Sequence, residues 1–468
     1  MNQMNALDAG FYFAEDENAP LHVGAVMVFE GPPPSYGDLI RALLAKLPKA
    51  PRYRQRVRTS PLHLSRPVWM DDEHFQILYH VRHTAVPAPG GPEQLRNLAG
   101  RVFAQRLDLS KPLWELWLVE GLENGRWALI SKTHHCMVDG IAGTDLMQAL
   151  MDLRADAELP EVTEWRPEPP PAGPTLSLGS LFDVVTWPVR QLGDLPGLVR
   201  WLPNPGDLMK LAWAVGGSLP GTARRLVTSA ARSLNGPIGP HRRWVWVEAD
   251  LGEIKQVRTA FGGTVNDVIL AAVTGGFRDL LGKRGDLRDG QIVRTMVPVS
   301  MRAGTERGQL NNRVTAVLVN LPVGEPDPQR RLAVLRDQMD DLKRSGQAVG
   351  ADKLVGLADF AAPTLMALGS RVAAKVPQQV LQTITTNVPG PRVPLYLLGR
   401  RLVELYPYIP LFNGIRIAVG IYSYLGRFYF GVNADFDAMP DIQVLADGIR
   451  AGFDELVEQA ATAPATAG

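Results

Sequence analysis

The chain has one cysteine, Cys136, in 468 residues, so no disulfide can form within it. It has no surplus of either charge. The 49 Lys and Arg against 48 Asp and Glu leave a formal net charge of +1, which removes the electrostatic reason to expect a nucleic-acid partner. No run reaches the roughly 18 uninterrupted apolar residues of a membrane-spanning helix. The opening MNQMNALDAGFYFAEDENAP has no basic flank and turns acidic at Glu15, Asp16 and Glu17, unlike a secretory signal. Three common catalytic signatures are also missing. Gly216-Gly217-Ser218-Leu219-Pro220 has proline where a nucleophile elbow needs its last glycine. Gly282-Lys283 lacks the upstream glycine of a phosphate loop, and no His-Glu-x-x-His occurs. His74, His80 and His83 have no evident fourth ligand, so no metal is expected. What remains is a soluble or peripherally bound cytoplasmic protein of ordinary globular composition, 46% hydrophobic and 21% charged.

Punctuation divides the sequence into three parts and a tail. Residues 1–165 mix strand-like and helical runs: LHVGAVMVF as a strand, a helix capped by Ser35, and two strands, LWELWLVEGL and RWALISKTH, joined across Asn124-Gly125. Residues 166–240 are rich in Pro, Gly and Trp, opening on Pro167-Glu168-Pro169-Pro170-Pro171. They read as an interdomain connector, and Trp187, Trp201 and Trp213 beside scattered Arg and Lys also fit short interfacial helices that touch a membrane. Residues 241–460 resume the α/β pattern, with TVNDVILAAVTGGFRDLLGK as a capped helix, six strand-like runs and a closing amphipathic helix. The last residues, 461–468, are expected to be a disordered tail.

The densest chemistry lies in SKTHHCMVDG, residues 131–140. Adjacent strand residues point to opposite faces, so one of His134 and His135 is expected to work on substrate and the other to be more structural. Asp139 is within reach of the imidazole in a tight turn and can hold it, and Gly140 lets the backbone turn sharply. A held, neutral imidazole facing a cleft is what a general base requires. Thr264 reads as a helix N-cap with Asp267 three residues on, which places Asn266 in the first turn, at the positive helix end. Asn387 precedes the rigid Pro389-Gly390-Pro391, and Trp114 leads into a strand as a packing residue with a share in lining an apolar path.

His134-His135-Cys136-Met137-Val138-Asp139-Gly140 resembles the HHxxxDG motif of CoA-dependent acyltransferases. The opening MNALDAGFYFAEDENAPLHVG, Pro112-Leu113-Trp114, Asn266-Asp267, MVPVSMR, Leu310-Asn311-Asn312-Arg313 and TNVPGP follow in the order of the bacterial wax ester synthase/diacylglycerol acyltransferase family. The resemblance runs from about residue 4 to about 457 and is less diagnostic in the middle. It implies an α/β fold in which two chloramphenicol-acetyltransferase-like domains form a pseudo-dimer around a central tunnel. It also implies transfer of a fatty acyl group from acyl-CoA, a co-substrate rather than a cofactor, to diacylglycerol or a long-chain alcohol. On this view the protein works at a membrane or lipid-droplet surface, His135 takes the acceptor proton, and Asn266 supplies an oxyanion donor or positions substrate. Two rivals stand beside it: an acyl-enzyme on Cys136, and a lipid-binding scaffold without turnover.

Overall fold

The computed structural model describes residues 2–60, 66–137, 149–169, 232–300, 314–344 and 381–463. Two six-stranded sheets organise them. In the first sheet the order is Tyr396–Leu397, Arg400–Tyr408, His22–Phe29, Trp127–His134, Trp114–Glu120 and Val81–Ala85. In the second it is Val314–Leu321, Val293–Ser300, Thr383–Val388, Ile417–Tyr424, Arg427–Asp435 and Arg242–Asp250.

Local signals explain most of these elements. Ser35 caps the helix Tyr36–Lys46 by accepting the Asp38 N–H at 3.1 Å. Asn124 and Gly125 both take positive φ, 60° and 65°, and turn Trp114–Glu120 back onto Trp127–His134 as an antiparallel pair. Every residue of Trp127–His134 is buried, as a strand packed on both faces must be. In the second half Thr264 and Asp267 form the expected capping box at the start of helix Val265–Lys283. That helix is buried along nearly all of its first three turns, against the closing helix Ile442–Thr462. A side chain on Gly276 would run into the backbone at Leu445 and Ile449, so the two helices approach this closely only over glycine.

One strand departs from the expected division. Arg400–Tyr408 belongs to the second part of the chain, yet it pairs antiparallel with His22–Phe29 in the first sheet, Tyr408 opposite Gly24 and Leu405 opposite Met27. The boundary expected at residue 240 therefore does not separate the sheets. The strand escaped notice because a register shift between Leu402 and Glu404 breaks its period-two alternation. Its other side is fastened to the second sheet: Tyr429 Oη donates to the Val403 carbonyl at 3.0 Å, Tyr424 Oη to Leu402 at 3.0 Å, and Asn433 Nδ2 to Ile409 at 2.9 Å. Gly431 lies directly under the Pro407 carbonyl, where no Cβ fits. The crossing strand thus locks the halves together along one seam.

Several expectations fall outside the described residues: Asp139 and Gly140, Trp187, Trp201 and Trp213, Leu310 to Arg313, and the last five residues. Among the described residues no single helix is long and apolar enough to cross a membrane.

Candidate active site

The strand Trp127–His134 ends at the first histidine, and His135 opens a short 3-10 turn, His135–Met137. The two rings meet adjacent residues of the helix Ala6–Ala14, His135 stacking on Phe11 and His134 lying 6.2 Å from the Tyr12 ring. His134 is fully buried. Its Nδ1 accepts the Cys136 N–H at 3.1 Å, which leaves Nε2 carrying the proton. That nitrogen lies 3.1 Å from Glu15 Oε2, in a close but not linear approach that makes the contact electrostatic first. Glu15, whose side chain is 1% exposed, also accepts the Leu21 N–H at 3.1 Å and takes Arg106 Nε and Nη2 at 3.1 Å each. Burial works against its charge, but His134, the Leu21 amide and Arg106 outweigh it and hold the carboxyl below its usual range. Both ring nitrogens of His134 are therefore held by close neighbours.

His135 is the free member. Its ring stacks on Phe11 with centroids 4.0 Å apart, and its backbone N–H donates to the Leu21 carbonyl at 2.8 Å. Nδ1 is buried and has no partner among the described residues. Burial, and after it the neighbouring His134, lowers the pKa to about 4. The imidazole is thus neutral throughout the physiological range and keeps a lone pair for an incoming proton. Cys136 points the other way, into a cluster with Met4, Phe13, Trp69 and Leu113. Its thiol is pushed well above the ordinary value, first by burial and then by Asp8 and Glu15.

The second half contributes a pair of asparagines. Asn387, in the strand Thr383–Val388, donates from Nδ2 to Asn266 Oδ1 at 3.4 Å. This contact occupies the acceptor side of the Asn266 amide, at the positive end of helix Val265–Lys283, and no hydrogen bond among the described residues takes its NH2 group. Asp267, by contrast, is 1% exposed and spends Oδ2 on the Thr264 N–H at 2.7 Å, so it acts as a cap. No hydrogen bond among the described residues joins His135 to either asparagine. The two halves meet instead through an apolar patch of Ala19, Ile238, Ile384, Leu411 and Ala418 that joins the chain just after Glu15 to the strand carrying Asn387.

Trp114 is fully buried, donates Nε1–H to the Tyr53 carbonyl at 2.8 Å and stacks on His80 at 4.7 Å. It packs in the first core. His80 donates Nδ1–H to the Trp114 carbonyl at 2.8 Å, while His83 faces Glu120 at 2.9 Å. Glu15, Arg106 and Phe11 were not singled out from the sequence. Their signal was the acidic residue in the FYFAEDENAP stretch, which made sense only once the fold had placed it under a histidine about 120 positions away.

The sequence model described as wax ester synthase/diacylglycerol acyltransferase catalytic domain matches residues 4–269, and that of the C-terminal domain of the same family matches residues 310–457. A chain named probable diacylglycerol O-acyltransferase from Mycobacterium tuberculosis (strain ATCC 25618 / H37Rv) is 35% identical over 466 residues, covering 98% of this chain and 96% of that one. A second, named a putative diacylglycerol O-acyltransferase in the strain CDC 1551 / Oshkosh, is 30% identical over 468 residues, covering 98% and 90%. Among solved structures, the wax ester synthase/diacylglycerol acyltransferase from Marinobacter aquaeolei VT8 superposes with a TM-score of 0.67 at 24% identity, over 98% of this chain and 100% of that one. The first condensation domain of the CDA synthetase shares the fold, with a TM-score of 0.58 at 15% identity over 99% and 97%.

Proposed function

From the premise that this chain belongs to the wax ester synthase/diacylglycerol acyltransferase family, and is an acyltransferase of it, we propose that it moves a fatty acyl group from acyl-CoA to diacylglycerol, with a long-chain alcohol as the alternative acceptor. The observation that carries the chemistry is the His135 ring: neutral, stacked on Phe11, with a buried unpartnered nitrogen, beside a His134 already committed to Glu15. His135 takes the proton from the acceptor hydroxyl as the oxygen attacks the thioester carbonyl. The Asn266 amide, oriented by Asn387, donates to the oxyanion. Collapse of that intermediate expels the CoA thiolate, which recovers the proton from the His135 imidazolium. Every proton and bond is accounted for without an acyl-enzyme. A buried thiol held in its protonated form, as Cys136 is, favours this direct route over a covalent one. Diacylglycerol is too apolar to arrive through water, so the reaction belongs at a lipid surface, and this reading predicts that the protein pellets with liposomes.

The test is product analysis with purified protein, one fatty acyl-CoA, and diacylglycerol and hexadecanol in competition. Triacylglycerol is expected as the main product. His135→Ala should lower turnover by roughly 10²–10⁴-fold, the usual contribution of a positioned base, with an unchanged circular dichroism spectrum. Turnover that survives His135→Ala, or the absence of any ester product, rejects the assignment.

A further inference from the structure

Away from the histidines, a groove of about 680 Å³ opens between the two halves. One wall is the helix Pro92–Ala104, whose Glu93, Arg96, Asn97 and Arg101 share one face at helical spacing while Leu95, Leu98, Val102 and Phe103 are buried on the other. The opposite wall is the start of the strand Arg242–Asp250 together with Phe436 and Gln443. The groove holds four arginines, Arg96, Arg101, Arg242 and Arg243, against one carboxylate, Glu93. That local excess stands out in a chain whose formal net charge is only +1.

None of the four guanidinium groups pairs with a carboxylate among the described residues. Arg96 donates to the neutral Gln443 Oε1 at 3.2 Å and lies 5.1 Å from the Trp246 ring. Arg243 donates to the Phe436 carbonyl at 2.8 Å and lies 3.9 Å from the Phe436 ring. Arg242, 4% exposed, donates to the carbonyls of Gly239, His241 and Asn18 and keeps a buried Nε without a partner. Arg101 is exposed at the rim. The first turn of the helix Ile442–Thr462 also faces the groove, and its N-cap Asp441 makes no side-chain cap because Arg284 engages its carboxylate. Its positive end is therefore added to the arginines. Forked cations near a helix N-terminus are the arrangement that recognises phosphate esters, and Phe436, 39% exposed, offers a face for a purine.

We propose that this groove binds the phosphorylated nucleotide end of the CoA thioester. The inference rests on the proposed use of acyl-CoA. Position supports it: Arg242 reaches the Asn18 carbonyl, on the loop between Glu15 and His22, and Arg106, two residues beyond the groove-lining Ala104, is the residue that grips Glu15. The inner end of the groove thus adjoins the support of the histidine pair, with the acyl end directed toward the seam.

The experiment titrates the full chain with adenosine 3′,5′-bisphosphate, followed by calorimetry, and compares KM for a fatty acyl-CoA with KM for its N-acetylcysteamine thioester, which lacks the nucleotide. In the Arg96→Gln/Arg101→Gln double variant and in Arg243→Gln, bisphosphate affinity should fall at least about tenfold, the size expected for lost charge-assisted hydrogen bonds. KM should rise to match for the CoA thioester only, and raised salt should mimic the effect. The double variant sits on exposed positions and carries the test if Arg243→Gln folds poorly. Equal bisphosphate affinity in wild type and double variant overturns the proposal. So does weakened binding to phosphatidylglycerol vesicles with bisphosphate binding intact, since the groove would then serve a lipid headgroup. Arginine-dependent bisphosphate binding without any acyl transfer from CoA would reject the function while leaving the nucleotide site standing.

Discussion

The two halves of the molecule bury charge for different ends. All eight histidines except His241 precede Cys136, and three of them, His22, His80 and His134, are fully enclosed in the first half beside the buried pair Lys132 and Glu115. The second half buries charged side chains too, and apart from Arg242 at the groove several of them serve the scaffold. Asp267 caps a helix, Arg331 ties Glu455 at 2.9 Å, and Asp435 accepts turn amides from Gly239 and Ala438. Imidazoles kept neutral by burial are thus concentrated in the half that carries the proposed base, whereas the other half offers fixed dipoles such as the Asn266 amide. On the proposed reading the two sheets divide the work: one carries the base, the other the donor to the developing charge.

The sharpest way to break that division is to remove a buried charge beside the histidines. Lys132 is 0% exposed, donates to the Gln105 carbonyl at 2.7 Å and lies 3.4 Å from Glu115 Oε2. Burial lowers its pKa and Glu115 only partly restores it. Lys132→Ala leaves the enclosed Glu115 carboxylate with only Trp117 Nε1–H at 3.1 Å and the more distant Arg82 at 4.0 Å, and should cost about 3 kcal/mol in denaturant unfolding, a large share of the stability of an ordinary domain. Loss of no more than about 1 kcal/mol would mean that water reaches the pair.

Next in size comes the contribution of the second half to catalysis. If Asn266 donates only to the transition state, Asn266→Ala should lower kcat by an amount near the ~2.7–4 kcal/mol measured for an oxyanion donor, with KM for acyl-CoA little changed. Asn387 acts through Asn266, so Asn387→Ala should be milder, roughly tenfold, and Asn387→Asp, which cannot donate when ionised, should resemble it. A rise in KM without a fall in kcat for Asn266→Ala would turn the pair into a binding device.

What could be read from sequence, and what could not, follows from the range of the interactions. The Thr264 and Asp267 box, the Asn124-Gly125 turn and the Ser35 cap are local, and each stands where its residues said it would. The two adjacent histidines also meet different partners, Glu15 and the Cys136 N–H for His134 and the Phe11 ring for His135. Glu15 beneath His134, Asn387 against Asn266 and Tyr408 beside Gly24 join positions more than a hundred residues apart. No periodicity carries that information. The motif resemblance supplied the fold class and gathered His135, Asn266 and Asn387 into one list, but only geometry gave Glu15 the part of holding a histidine.

A smaller effect tests the first half alone. Burial depresses the pKa of His22, His80 and His135, the last to about 4. Below their ordinary value near 6.5 the unfolded chain binds protons that the folded one does not. The stability these groups permit is therefore complete above pH 6.5 and is lost as pH falls toward the folded pKa. Each adds at most about 1.4 kcal/mol per pH unit in that window. Unfolding free energy should decline between pH 6.5 and 5, and His22→Gln should flatten the slope by close to one proton. An unchanged slope would place the acid sensitivity elsewhere.

The smallest expected effect belongs to Cys136, and it discriminates best between direct transfer and an acyl-enzyme. The side chain is 2% exposed, faces Phe13, Trp69 and Leu113, and is held as the thiol by burial with Asp8 and Glu15 nearby. A nucleophilic cysteine needs the opposite setting, cationic and open to substrate. Its backbone N–H, not its sulfur, is what His134 uses, and alanine keeps that N–H. Cys136→Ala should retain activity within about twofold and lose on the order of 1 kcal/mol of stability from the missing buried sulfur. Intact-mass spectrometry during turnover should show no acyl adduct on either protein. An adduct on the wild type that disappears in Cys136→Ala, together with its activity, would move the chemistry from the hydroxyl proton to the thiol and leave His135 as its activating base.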